Sequence, residues 1–236
     1  MDMHSLITSP ERMIAVIREL GIVPFFRSRV PGWSVEGQTD PDFWFYTSDV
    51  LGPWDWKIDA VREGDIAYGK FLSGKAAFAT TRWYRHLMNV RRADAKCAAF
   101  LDSSQLARIA LDIIRRNGAV EMSELRKLCG VKKAVMESAM QGLYMGTWAV
   151  VGDIRRVYRG PNLEYKGWQR SSVTTPDALF GEQSPSDDQP FWANIIECQC
   201  ESPMAVDCTP QESREILIDH IAEFFPDRRD VIAKVI

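Results

Sequence analysis

Hydrophobic residues near the start of the chain follow the period of a helix. Between residues 13 and 20 they recur every three or four positions, which is typical of a buried helix face. Ser9 is a suitable N-cap, Pro10 suits the first turn, and Gly21 is a suitable stop. The pattern therefore predicts a helix over residues 10–20 that packs on the core.

A strand pattern follows in the next part of the chain. Residues 67–72 and 75–80 are short, largely apolar runs, and Ser73-Gly74 between them suits a tight turn. These runs predict a β-hairpin. We also predict a short strand from Ile22 to Phe26 and a short helix from Trp83 to Val90.

The clearest pattern lies between residues 104 and 170. Helical spacing of apolar residues predicts helices over 104–117, 123–129 and 132–145, with Gly118 and Gly130 ending the first two. Two strands then turn at Gly152-Asp153. Three helices followed by a two-stranded hairpin are the element order of a winged helix, so we predict a winged-helix domain over 104–170.

The rest of the chain completes an α+β prediction. Residues 22–57 mix Gly and Pro with many aromatic residues and are predicted to be rich in loops, inside an aromatic-rich N-terminal α/β region over residues 1–103. Residues 171–236 are predicted to form a linker and an acidic, helical C-terminal extension. Thr209 and Glu212 give that extension a capping box.

Composition indicates a soluble globular protein. Of 236 residues, 46% are hydrophobic and 26% are charged, and no apolar run is long enough to span a membrane. The first ten residues lack the pattern of a secretory signal, so we expect a cytoplasmic protein. Cys198, Cys200, Cys208 and His220 depart from the usual zinc spacings. We therefore expect no metal site and no cofactor.

Charge is distributed unevenly and makes DNA a candidate partner. The net charge is 0 over residues 1–103, +6 over 104–170 and −9 over 171–236. Two partners fit the basic block: a phosphate backbone and the acidic extension. The side chains predicted to contact double-stranded DNA lie on the third helix of the block and on the hairpin: Lys132, Lys133, Ser138, Gln141, Arg155, Arg156 and Arg159.

That DNA hypothesis has an alternative. Glu137 lies in the middle of the candidate reading face and would repel phosphates. A winged helix can also serve only for packing or dimerisation. The sequence leaves both functions open.

The segment from Gly52 to Lys57 is the most unusual string in the chain. If it is extended, Trp54 and Trp56 point to one side, and Asp55 and Lys57 to the other. Rings beside a carboxylate and an ammonium group, with Lys70 nearby, predict a ligand pocket. The alternative is a structural corner with an internal ion pair between the two charged side chains.

Several strings resemble the bacterial AlkZ-related protein family. They are Gly21-Ile22-Val23-Pro24-Phe25-Phe26, Pro31-Gly32-Trp33-Ser34-Val35-Glu36, Gly52-Pro53-Trp54-Asp55-Trp56-Lys57, Tyr68-Gly69-Lys70-Phe71, Lys75-Ala76-Ala77-Phe78 and Tyr165-Lys166-Gly167-Trp168. The resemblance implies a distant relation to winged-helix DNA glycosylases of the AlkZ and YcaQ type. Those enzymes excise alkylated or crosslinked bases from DNA with a Gln-x-Gln or Gln-x-Asp motif.

The catalytic candidates are few. No G-x-S-x-G, H-E-x-x-H or phosphate-binding loop motif is present. The resemblance implies Gln38 and Asp40 as candidates, although Gln38-Thr39-Asp40 lacks the large apolar middle residue and the chain is shorter than those enzymes. Asp55 is a further carboxylate candidate. Three functions stay open: a DNA-binding winged-helix protein, a DNA-repair hydrolase, and a ligand- or protein-binding module around Trp54–Trp56.

Overall fold

The computed structural model describes residues 6–44, 51–181 and 204–236. The helices are α1 (Pro10–Leu20), α2 (Val35–Gln38), α3 (Pro41–Trp44), α4 (Pro53–Arg62), α5 (Thr81–Ala93), α6 (Ala95–Ser103), α7 (Gln105–Asn117), α8 (Met122–Leu128), α9 (Lys133–Met145), α10 (Pro176–Phe180), α11 (Pro210–Phe224) and α12 (Arg229–Ile232). The strands are β1 (Ile22–Pro24), β2 (Ile66–Leu72), β3 (Lys75–Thr80), β4 (Ala119–Glu121), β5 (Val150–Arg159) and β6 (Glu164–Thr174). This mixture of helices and antiparallel sheets confirms the predicted α+β class.

The N-terminal sheet has the strand order β1-β3-β2, and all of its pairs are antiparallel. Ser73 and Gly74 both have positive φ and close the β2–β3 hairpin at the predicted turn. Helix α1 begins and ends as predicted, because the Ser9 side chain accepts a hydrogen bond from the Arg12 amide and Gly21 forms the C-cap. The sheet, α1 and α5 supply side chains to one hydrophobic core.

A second antiparallel sheet has the order β4-β6-β5. Along the chain it follows α7 and is interleaved with α8 and α9, so the predicted order of three helices and a hairpin is present, with β4 as an added edge strand. Buried side chains of α7, α8, α9 and the sheet form a second hydrophobic core.

Helix α4 lies where the sequence predicts an extended, loop-rich segment. The segment Gly52–Lys57 is not extended, because Gly52 is the N-cap of α4 and Pro53 occupies the first turn. Trp56 on this helix belongs to the first core, whereas Ile58 and Val61 belong to the second. The helix therefore contributes side chains to both cores and contacts a strand of each sheet, β2 and β5.

The C-terminal helices pack on the N-terminal region. Thr209 and Glu212 form the predicted capping box at the start of α11. Leu217, Ile218 and Ile221 of α11 are buried in the first core, and α11 packs on α5. Within the described ranges, no helix is long and apolar enough to cross a membrane.

Candidate functional site

A cleft of about 570 Å³ lies between the two sheets. Its walls come from α4 and the β2–β3 hairpin on one side, and from α8, α9 and the β5–β6 hairpin on the other. The C-terminal half of α9 forms one end, because Gly69 of β2 lies so close to Tyr144 that an added Cβ would be 3.2 Å from the ring. The Gly74 amide also donates a 3.0 Å hydrogen bond to the sulfur of Met145.

The cleft has an apolar inner wall and a charged rim. Met136, Met140 and Ile154 line it and are buried, and Tyr68 and Tyr144 add aromatic surface. The charged side chains come from both halves of the molecule. They are Lys57, Lys70, Glu121, Arg126, Lys133, Glu137 and Arg170. Pockets of this size and composition are typical of small-ligand sites.

The two carboxylates of the cleft are already partnered. Glu121 lies 3.5 Å from Arg155 and 3.6 Å from Arg170, and the Ser123 hydroxyl donates to it. Glu137 forms an ion pair of 3.7 Å with Lys133, one turn earlier on α9. These three ion pairs involve exposed cations and add little stability, but each reduces the repulsion that its own carboxylate would offer an anion.

Three cations of the cleft have no such partner. Within the described residues, Lys57, Lys70 and Arg126 have no carboxylate within salt-bridge distance. The cleft is therefore electropositive, and an anion entering it would gain ion pairs without breaking existing ones.

Beside the cleft, Asp55 joins α4 to the second sheet. Its carboxylate is buried and accepts hydrogen bonds from the Tyr165 hydroxyl at 2.6 Å, Arg156 Nε at 3.3 Å and Gln169 Nε2 at 3.4 Å. Burial and the bond to Asp55 raise the pKa of Tyr165 to about 12. Burial lowers the pKa of Arg156, but the hydrogen bond and attraction from Asp55 outweigh it, and the net direction is upward.

The residues predicted to form a pocket around Trp54–Trp56 lie in different environments. Trp56 is buried against Phe43, and Trp54 packs edge-on against Phe25. Lys57 and Lys70 line the cleft. The predicted internal ion pair between Asp55 and Lys57 is wrong, since Asp55 pairs with Arg156.

The candidate DNA-contacting residues are also divided. Lys132 at the N-cap of α9 and Lys133, Ser138 and Gln141 within the helix are exposed, and of these Lys133 and Gln141 line the cleft. Arg156 is bound to Asp55, and its side chain is only 30% exposed. This differs from the prediction of a side chain that is free to contact DNA.

Two further arginines lie on the hairpin. The guanidinium group of Arg155 pairs with Glu121, and that of Arg159 lies 5.3 Å from the ring centre of Trp168. At the far end of the hairpin, large apolar side chains stand in solvent. Tyr158 is 53% exposed, Trp168 59% and Leu163 69%.

Gln38 and Asp40 lie outside the cleft and have local structural roles. The Gln38 side-chain amide donates to the Gly32 carbonyl at 2.7 Å. Asp40 accepts from the Asp42 amide at 3.0 Å, at the start of α3. Neither residue is in the cleft lining.

Metal-binding chemistry finds no support in the part of the chain that the structure describes. No group of three or more His, Cys, Asp or Glu side chains there could hold a metal ion. Cys198 and Cys200 lie outside the described residues. Cys208 is a free cysteine, and the ring of His220 stacks on Trp83 at 3.7 Å.

Several residues of the cleft are not among the site residues predicted from the sequence. Arg126 on α8, Arg170 and Gln169 on β6, and Tyr68 on β2 all line it. Tyr165 and Gln169 lie four residues apart on one face of β6. This spacing is the one feature of the sequence that indicates that their side chains act together. Their partner Asp55 is more than a hundred residues away, so the contact is a property of the tertiary fold.

Comparison with known proteins gives a family. The chain matches the family described as AlkZ related over residues 7–236. Since the match covers nearly the whole chain, the protein belongs to the AlkZ-related family. A search of curated proteins and a search of solved structures each gave no match.

Proposed function

We propose that residues 105–174 are a winged helix and that the protein binds nucleic acid at the cleft. The element order and the antiparallel sheet β4-β6-β5 support the winged helix, in which α9 is the third helix and β5–β6 the wing. Membership of the AlkZ-related family supports a role on DNA.

The observation that carries the proposal is the charge of the cleft. Lys57, Lys70 and Arg126 come from three different elements, converge on one cavity and have no carboxylate partner among the described residues. Folding does not require three unpaired cations in one cleft. Phosphates bound at Lys70 and Arg126 would release counterions, which is the main source of affinity in nucleic-acid binding, while the buried Lys57 adds positive charge inside the cleft.

The tip of the β5–β6 hairpin is a second candidate contact surface. Trp168 and Tyr158 present exposed rings, and Arg159 and Lys166 are also exposed nearby. Rings beside cations suit a nucleic acid, because bases stack on rings while cations pair with phosphates. Such large exposed apolar side chains indicate an interaction surface.

The shape of the cleft favours one nucleotide over an intact double helix inside it. Much of the C-terminal half of α9 is covered, since Gly142 packs on Phe100 and Met145 contacts the β2–β3 turn, although Gln141 is exposed at the cleft. The N-terminal end, with Lys132 at the N-cap and Lys133 in the first turn, is open. We therefore propose that phosphates contact the rim while a nucleotide drawn out of its strand enters the cleft.

Fluorescence anisotropy tests this function. Three labelled oligonucleotides of equal length are compared: a perfect duplex, the same duplex with one unpaired nucleotide, and the single strand. We expect all three to bind at low salt, and the two with an unstacked nucleotide to bind more tightly. Absence of binding by all three at low salt would overturn the proposal.

A small-ligand site is the second candidate, and the cleft volume favours it. A free anionic ligand would use the same three cations and the same apolar wall. In that case a small anion would quench tryptophan fluorescence, and the oligonucleotides would not change their anisotropy.

A further inference from the structure

Lys57 is the exceptional cation of the cleft. Among the described residues only two charged side chains are buried, Asp55 and Lys57, and both lie in the first two turns of α4. Asp55 has three hydrogen-bond donors. Lys57 has no hydrogen bond or ion pair there, and its ammonium group lies 4.8 Å from the ring centre of Trp54.

This environment disfavours the charged form of the amine. A buried ammonium group loses its hydration, and a ring gives back only part of that free energy. Burial lowers the pKa of Lys57 to about 8, against a smaller opposing effect from the Asp55 carboxylate. Near neutral pH a minority of the molecules therefore carry Lys57 as an uncharged amine, which is the nucleophilic form.

The amine also has access to a ligand. Lys57 lines the cleft together with Tyr68 and Gln169, and the same cleft is lined by the cations Lys70 and Arg126. An amine in an apolar cavity with cations at its mouth suits a ligand that combines a phosphate with an electrophilic carbon. Aldehydes are the electrophiles with which lysine forms covalent intermediates.

We infer that Lys57 is a nucleophile that forms an imine with the aldehyde of a ring-opened deoxyribose phosphate. In DNA this aldehyde occurs where a base has been lost. For such an abasic site, the inference rests on the proposed binding of nucleic acid. The same chemistry is carried by free 2-deoxyribose 5-phosphate. Lys70 and Arg126 would hold the phosphate, and Lys57 would meet the aldehyde carbon.

The step balances without any further reactant. The lone pair on Lys57 Nζ attacks the aldehyde carbon, and a proton passes from nitrogen to oxygen to give a carbinolamine. The carbon–oxygen bond then breaks, water leaves, and a carbon–nitrogen double bond forms. Nothing is oxidised or reduced, and the reaction is reversible.

Reductive trapping tests the inference on the full chain. The protein is mixed with an end-labelled oligonucleotide that carries one abasic site, or with 2-deoxyribose 5-phosphate, and sodium cyanoborohydride is added. Mass spectrometry and peptide mapping then locate any adduct. We expect a single adduct on Lys57, with a yield that rises between pH 6 and 8. An oligonucleotide whose abasic sugar has been reduced to the alcohol should give none.

Variants separate the possible outcomes. Lys57→Arg and Lys57→Met should abolish the adduct, while Lys96→Arg, at an exposed position on α6, should leave it unchanged. Circular dichroism checks that each variant folds. Peptide mapping of the adduct on the parent protein gives a result even if a variant does not fold. Adducts spread over surface lysines, or no adduct with either aldehyde, would overturn the inference.

Anisotropy with the same abasic oligonucleotide distinguishes this failure from failure of the proposed function. Binding without an adduct on Lys57 contradicts the imine and leaves nucleic-acid binding standing. An adduct on Lys57 with the free sugar phosphate, in a protein that binds no oligonucleotide, supports the imine and contradicts nucleic-acid binding.

Discussion

The hydroxyl of Tyr165 donates a 2.6 Å hydrogen bond to the buried carboxylate of Asp55, 110 residues earlier in the chain. The bond joins the β5–β6 hairpin to the helix that carries Lys57. Arg156 and Gln169 of the same hairpin bind the same carboxylate. Together they fix the hairpin against α4 and so set the width of the cleft.

Loss of this junction should destabilise the protein. Asp55→Asn replaces a charged acceptor with a neutral amide and leaves Arg156 without its counterion, so we expect a loss of about 2 kcal/mol in the free energy of unfolding. Tyr165→Phe should cost about 1.5 kcal/mol, the usual value for a bond to a charged group. Urea unfolding measures both changes.

Tyr158→Phe is the matched control for Tyr165→Phe. Tyr158 lies on the adjacent strand with its ring 5.8 Å from that of Tyr165, but its side chain is largely exposed. Its loss of a hydroxyl should change the unfolding free energy by less than about 0.5 kcal/mol. Equal effects at the two tyrosines would contradict the role assigned to Asp55.

Lys57 should make stability depend on pH in a defined direction. Its pKa is about 8 in the folded chain and near 10.5 when unfolded, so the unfolded chain binds more protons between these pH values. The free energy of unfolding therefore rises as pH increases from 8 towards 10.5. Below pH 8 the buried ammonium destabilises the fold by about 3 kcal/mol.

Lys57→Met tests that statement, because methionine fills similar space without charge. At pH 7 we expect the variant to be more stable than the parent by up to about 3 kcal/mol. The difference should shrink as the pH is raised to 9.5. Unfolding titrations at several pH values measure it, and a difference that does not change with pH would contradict the assignment.

Gly21 should tolerate no side chain. It has a φ of +70°, and an added Cβ would lie 2.1 Å from the Trp83 ring, which stacks on His220. Gly118 has the same φ, but nothing lies within 4 Å of its added Cβ. Gly118→Ala should therefore cost about 1 kcal/mol from backbone strain alone, and Gly21→Ala about 3 kcal/mol from strain and overpacking together. Thermal unfolding compares the two, and equal losses would contradict the close packing.

Local signals explain which elements the sequence predicted. Helix α1, the β2–β3 hairpin and the capping box of α11 each depend on residues within a few positions of one another, so pattern and turn chemistry were sufficient. The N-cap and Pro53 of α4 were also local signals. The apolar pattern of α4 does not predict a helix, because its buried residues divide between two cores and form no single apolar stripe.

The cleft was beyond what the sequence alone can predict. Lys57 and Lys70 were candidates because they lie near an unusual aromatic string. Arg126 and Arg170 join them only through the packing of α8 and β6 opposite α4. Arg156 looked like a free cation, and its partner Asp55 lies 101 residues away, so only the tertiary structure shows the pair.

The salt dependence of oligonucleotide binding tests the central claim most directly. The double variant Lys70→Ala/Arg126→Ala removes two unpaired cations of the cleft. The control variant Arg228→Ala/Lys234→Ala removes two exposed cations that do not line the cleft. We predict that the slope of log affinity against log salt falls by about 2 for the first variant and is unchanged for the second. Equal slopes for the parent and both variants would contradict a nucleic-acid site in the cleft.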